Sequence, residues 1–295
     1  MIKQAEILEY AELYKLTKNQ IDKDWVLSYL LYAIISIPEL QERMIFKGGT
    51  CLKKCYFPDY RFSEDLDFTL LDNQFVITPR IVNKIIKAAS ELSFHEDFNR
   101  GILVKLKQIV ATQSNDVEQG FKVYIHYWGA DHRKNDFPSD KQANWHHTIK
   151  LDINHTEEII FPIQEKPILH NLSDWEKFNA AIVRCYSIEE VLSEKLRSLI
   201  QRKYTSPRDC YDIWFLKNNC SDLNWQKIKE AFLKKSGAKN IRFRNAEQLL
   251  DSRKEKILKQ HWDTQLVNQF PSGKLPECNI VMTDLKHFFT DLFKE

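Results

Sequence analysis

Apolar positions recur at helical spacing twice near the start of the chain. Ile7, Leu8, Leu13 and Leu16 predict a helix over 3–16, and a denser set predicts one over 22–37. Asp22 or Asp24 can cap the second helix, and Pro38 marks its end. Met44 to Phe46 reads as a short strand feeding Gly48-Gly49, Thr50 to Tyr56 as a helix stopped by Pro58, and Asp65 to Leu71 as a strand. Thr78-Pro79 opens a helix running to about Leu92. The period then changes to two over Ile102–Val110, Lys122–Trp128 and Ile149–Asn154, which predicts three strands. A polar stretch between Asp131 and His147 predicts a loop.

After Pro162 and Pro167 the pattern turns helical. Residues 180–186 fit one last strand. Ser187 and Glu190 form an S-x-x-E box before an apolar stripe through Ile200, and Ser206-Pro207 opens the next helix. Helices are predicted over 225–235, 245–267 and 279–293. These elements predict an α+β protein: residues 1–168 form a sheet flanked by helices, and residues 169–295 form a mainly helical domain.

Composition narrows the class without naming a function. A chain of 295 residues, 43% apolar and 28% charged, is an ordinary globular composition, and a net charge of +2 excludes a bulk polycation. Any nucleic-acid contact then needs a local patch. Trp25 to Ile37 is too short to span a bilayer, and the first residues lack a secretory pattern. The six cysteines include no C-x-x-C pair, and Cys51 and Cys55 read as reduced packing residues on one helix face. A reducing cytoplasm is expected, with no membrane partner. His126, His132, His146 and His147 lack ligand spacing and are read as non-metal.

The candidate chemistry is concentrated between Lys47 and Thr69. Gly48-Gly49-Thr50 permits a sharp turn that can present N–H groups to a phosphate. Asp65 and Asp67 share one face of a strand. Two carboxylates ~4 Å apart repel by roughly 4 kcal/mol at an effective dielectric near 20, which a divalent cation between them relieves. A glycine cradle followed by D-x-D therefore points to metal-dependent phosphoryl or nucleotidyl transfer. Either motif alone is more often a plain turn or a solvated strand end.

The order of these parts resembles the nucleotidyltransferase superfamily. GGTCL followed by RFSEDLDF resembles one branch of it, the AbiEii/AbiGii toxins of abortive infection and phage defence, with Arg61, Ser63, Asp65 and Asp67 on the pattern R-x-S/T-x-D-x-D. IKLDIN, over 149–154, resembles the second motif and carries the role of third acid to Asp152. YSIEEVLSEKLRSLIQRKYTSPRDCYDIWFL resembles the family's C-terminal signature, an E-K-L helix followed by R-D-x-x-D. It carries possible active-site roles to Lys195, Asp209 and Asp212. The resemblance implies a mixed-sheet core whose cleft the helical domain completes. It also implies Mg²⁺ or Mn²⁺ on Asp65, Asp67 and Asp152, and phosphate contacts from Gly48, Gly49, Thr50, Arg61 and Ser63, with a structural role equally open to Arg61. The substrate would be a nucleoside triphosphate, the acceptor a tRNA or other RNA, and an antitoxin protein the cognate partner.

Alternatives stand beside these roles. Lys195 falls inside the apolar stripe of its helix while Glu194 and Arg197 point away, so it either snorkels outward or meets an acid or phosphate. Asp209 and Asp212 share a helix face and equally suit a structural ion-pair cluster with Lys195, Arg202 or Arg208. The basic residues Lys234, Lys235, Lys239, Arg242, Arg244, Arg253, Lys254 and Lys256 read first as a solvated face and second as an RNA track. Transfer to a small molecule or protein, or a non-catalytic partner-binding module, are the rival functions.

Overall fold

The computed structural model describes residues 2–114, 117–131, 145, 147–202, 204–271 and 273–294. Most of the polar stretch expected to form a loop, with His132 and His146, lies outside them. The chain divides into two compact units, 1–157 with 163–185 and 158–162 with 186–295.

The first unit opens with α1 (Gln4–Tyr14) and α2 (Lys18–Ile35). The α2 start differs from expectation. Thr17 is the cap, and its backbone N–H donates to Gln20 Oε1 at 2.9 Å. Asp22 and Asp24 lie inside the helix and serve tertiary contacts. Asp22 accepts the N–H groups of Ala130 and Asp131, and Asp24 pairs with Lys54 at 2.7 Å. A short α3 (Pro38–Gln41) leads into β1 (Met44–Lys47). The chain then turns at Gly48 into α4 (Gly48–Cys51), whose continuation Leu52–Tyr56 is π-helical. Then come β2 (Asp65–Leu70), α5 (Pro79–Leu92), the long strands β3 (Leu103–Ser114) and β4 (Val117–Trp128), and β5 (His147–Asn154). Two short strands, β6 (Gln164–Pro167) and β7 (Ile182–Cys185), complete the unit, past residue 168, where the sequence reading puts its boundary.

Seven strands among the described residues form one mixed sheet in the order β3-β4-β5-β2-β1-β7-β6. β2 sits near the middle, antiparallel to β1 and parallel to β5. Alternation explains its placement: Leu66 and Phe68 enter the core while Asp65 and Asp67 stay partly exposed on the opposite face. On β5, Ile149, Leu151 and Ile153 are buried in the same manner. Asp174 anchors α2 to the segment between β6 and β7. It accepts hydrogen bonds from Trp25 Nε1 at 3.0 Å and Tyr29 Oη at 2.6 Å, and pairs with His170 Nε2 at 2.7 Å.

The second unit is helical: α6 (Ile188–Gln201), α7 (Pro207–Asn219), α8 (Trp225–Ala238), α9 (Ser252–Leu266) and α10 (Cys278–Leu292). The S-x-x-E box is half realised. Ser187 Oγ accepts the Glu190 N–H, but the Glu190 carboxylate accepts N–H groups from Ile160 and Phe161 and pairs with Lys235 at 2.5 Å. Those two N–H groups, with Lys235 donating to the Glu158 carbonyl at 2.6 Å, tie 158–162 to this unit. Arg197 does not point away into solvent. It is buried, with its guanidinium donating to Gln201 Oε1 at 2.7 Å, because α7 and α8 both pack on α6. Among the described residues, no helix is long and apolar enough to cross a membrane.

Candidate active site

Register brings the acids together. In the parallel pairing of β2 with β5, Asp67 stands opposite Asp152 and Asp65 opposite Lys150. Neighbouring strands lie about 4.8 Å apart, so the two faces form a small grid of charged side chains. Lys150 occupies its centre, with Nζ 3.0 Å from Asp65 Oδ2 and 3.5 Å from Asp152 Oδ2. Burial alone would lower the Lys150 pKa, but Asp65, Asp152 and Asp67 together raise it, so the ammonium stays charged. The sequence reading did not single out Lys150. A lysine two residues before Asp152 shares that residue's face, but its place beside Asp65 follows only from the register of β2 with β5.

Asp67 is the strained member. Burial pushes its carboxyl up to about 6, and the Asp65 charge adds to the shift, with Lys47 opposing it from the paired position on β1. The turn explains its setting. Gly48 has φ +78°, and a Cβ there would lie 2.2 Å from Asp67 Oδ2. Only glycine lets the turn approach the carboxylate so closely. A Cβ on Gly49 would lie 2.8 Å from the Arg61 guanidinium and 3.4 Å from Ser63 Oγ. Arg61 is buried behind the turn. The Thr50 hydroxyl is buried and donates to the Asp65 backbone carbonyl, which ties the turn to the acidic strand.

Hard oxygen donors, mutual repulsion at Asp67 and a glycine turn against its carboxylate fit a divalent cation of the magnesium kind. Lys150 supplies positive charge to the same acids.

The second unit holds its own charged cluster. Lys195 Nζ lies 3.0 Å from Asp209 Oδ1 and 2.6 Å from Asp212 Oδ2, and Arg202 reaches Asp209 Oδ2 at 2.7 Å. The E-K-L helix and the R-D-x-x-D helix are thus joined by the buried Lys195, Asp209 and Asp212, with the exposed Arg202 at the edge. Asp212 has no exposed surface, and its carboxylate meets the Lys195 ammonium inside the unit. The basic track is reduced: Lys235 is buried on Glu190, and Lys254 donates to the Leu199 carbonyl at 2.6 Å. Arg242, Arg244, Arg253 and Lys256 remain exposed.

A mixed sheet carrying this acidic grid beside a glycine turn, followed by the helical unit, defines a nucleotidyltransferase. Residues 29–284 match the family described as nucleotidyl transferase AbiEii toxin, type IV TA system, and the chain belongs to that family. Among solved structures it is similar to MenT4, a nucleotidyltransferase toxin from Mycobacterium tuberculosis H37Rv, with a TM-score of 0.65 at 16% identity. That similarity covers 100% of this chain and 91% of the other, and it shows a shared fold. Among curated proteins none matches.

Proposed function

We propose that this nucleotidyltransferase transfers a nucleoside monophosphate from a nucleoside triphosphate to a hydroxyl of RNA, tRNA being the acceptor class. In this reading it is the toxin of a toxin–antitoxin pair with an antitoxin protein as partner, and it acts in phage defence in the cytoplasm. The observation that carries the reading is the register of Asp67 with Asp152, with Gly48 against the Asp67 carboxylate.

Asp65 and Asp67 would hold Mg²⁺ or Mn²⁺, with Asp152 completing the set. When bound, such an ion supplies charge stabilisation at the transferred phosphoryl group. The chain's own residues divide the remaining work. Gly48, Gly49 and Ser63 line the phosphate cradle, and Thr50 and Arg61 hold its shape. Lys150 offsets phosphate charge beside the acids. Asp152 accepts the proton of the acceptor hydroxyl as its oxygen attacks the α-phosphorus. The new P–O bond forms as the bond to the β-phosphate breaks, and pyrophosphate leaves. On the family pattern, activity also needs Lys195 and Asp209, with Asp212 keeping Lys195 in position.

The test is incubation of the protein with α-phosphate-labelled triphosphates and bulk RNA, wild type beside Asp65→Ala with Asp67→Ala. Label on RNA from the wild type alone is the expected result. Label on protein or a small molecule would replace the RNA acceptor. Equal labelling by the double variant would overturn the acidic site.

A further inference from the structure

Three of the cysteines converge where the sequence gives no hint of it. Cys51 and Cys55 lie on the inner face of the turn-to-helix segment after β1, and Cys185 ends β7. β7 runs parallel to β1 with Cys185 opposite Phe46, two residues before Gly48. That pairing delivers Cys185 beneath the helix. The three sulfurs lie within 4.8 Å of one another, and all three residues are free thiols and buried. The π-helical turn contributes. The Phe57 N–H donates to the Leu52 carbonyl at 2.8 Å, an i to i+5 bond, and the smaller rotation per residue swings Cys55 back over Cys51.

We propose that Cys51, Cys55 and Cys185 form a binding site for a thiophilic d¹⁰ cation, with copper(I) the best match. Three sulfurs around one such ion stand roughly 4 Å apart, given metal–sulfur bonds of about 2.3 Å. The observed cluster needs only a small contraction to reach that spacing. Among the described residues the ligand group consists of these three, without a fourth His, Cys, Asp or Glu. Zinc at a closed structural site takes four ligands, whereas soft thiolates select copper(I) as well. The surroundings suit bound thiolates. The Cys185 thiol donates to the Tyr56 hydroxyl at 3.8 Å, a group that can turn and donate to the sulfur once the thiol proton has left, and the Lys166 ammonium lies 5.3 Å from the Tyr56 ring centre. On binding, the thiol protons leave to solvent and sulfur–metal bonds replace them, with no change of oxidation state. A disulfide would use two of the three sulfurs, and it would need an oxidant to reach buried thiols. The site stands apart from the acidic grid yet begins at Cys51, the residue after Thr50. Its occupancy would tie β7 to the segment that carries the cradle.

The test uses the reduced full-length protein under anaerobic conditions, titrated with copper(I) against a coloured copper(I) chelator. One equivalent withdrawn per chain is expected, unchanged in Cys220→Ser and in the Asp65→Ala, Asp67→Ala protein, and lost in Cys185→Ser and Cys51→Ser. No withdrawal by the wild type, or full retention by Cys185→Ser, would overturn the site. X-ray absorption on the copper-loaded wild type removes dependence on the variants' folding. A first shell of three sulfurs is expected, and a shell of nitrogen or oxygen would sink the proposal.

Discussion

Asp67 sets a conflict between stability and chemistry. Its carboxyl is raised to about 6 in the fold, against an ordinary value near 3.8. A raised folded pKa means the folded state binds the proton more tightly. The contribution of Asp67 to stability is therefore most favourable below about pH 4, falls between about 4 and 6, and carries the full penalty above 6. At 1.36 kcal/mol per pKa unit the penalty is of order 1–3 kcal/mol, discounted because the side chain is partly exposed. Asp67→Asn should therefore melt at a higher temperature than the wild type near pH 8 and show little difference near pH 4, both in chelator. Added Mg²⁺ should raise the wild-type melting temperature and leave the variant's unmoved. An Asp67→Asn protein that melts lower than wild type near pH 8 would refute the strained-carboxylate account. Lys150→Gln should lower nucleotidyl transfer by about 10²–10³-fold, since a preorganised charge is lost from the grid. Alternation puts Asp65 and Asp67 on one strand face in the sequence, whereas Asp152 joins them there only through the resemblance of IKLDIN to the family's second motif. Lys150 was not legible, because a lysine on a polar strand face looks solvated until the register with Asp65 is known.

At the scale of elements, the turn into α4 carries the sharpest prediction. Gly48→Ala meets a left-handed φ, costing about 1–2 kcal/mol, and its new methyl group would displace the Asp67 carboxylate. The protein should remain folded by circular dichroism while transfer falls at least about a hundredfold. Near-wild-type turnover would show that the close approach is incidental. Asp174 offers a contrasting test of structure alone. Its carboxyl is held down to about 2, against the cost of burial, by hydrogen bonds from His170, Tyr29 and Trp25. Asp174→Ala should lower stability by roughly 2–4 kcal/mol in denaturant melts, since buried donors lose their acceptor. Most strands and helices were legible from periodicity. The failures have local causes. Acids near the start of α2 looked like caps but were recruited by Ala130, Asp131 and Lys54, and Glu190 was drawn away by Ile160, Phe161 and Lys235. The π-helical turn and the meeting of Cys185 with Cys51 have no sequence period at all. Only the adjacency of β7 to β1 creates the second.

At the scale of the whole molecule, the family match runs through both units, so both belong to the working protein. Induction of the wild type should arrest growth, and Asp65→Ala with Asp67→Ala at equal protein level should not. Arrest by both forms would separate toxicity from the acidic site. Lys195→Ala strips its partner from two buried acids, so loss of activity alone would be ambiguous. Melting the same sample distinguishes a misfolded second unit from a folded, inactive one.

The Asp67–Asp152 pairing has a consequence for how such an enzyme tolerates change. The distance between adjoining strands is fixed by peptide hydrogen bonds, which every sequence shares. Side chains beneath the sheet can be exchanged widely while that backbone yardstick keeps its length. Two chains alike at 16% of positions can then keep one fold.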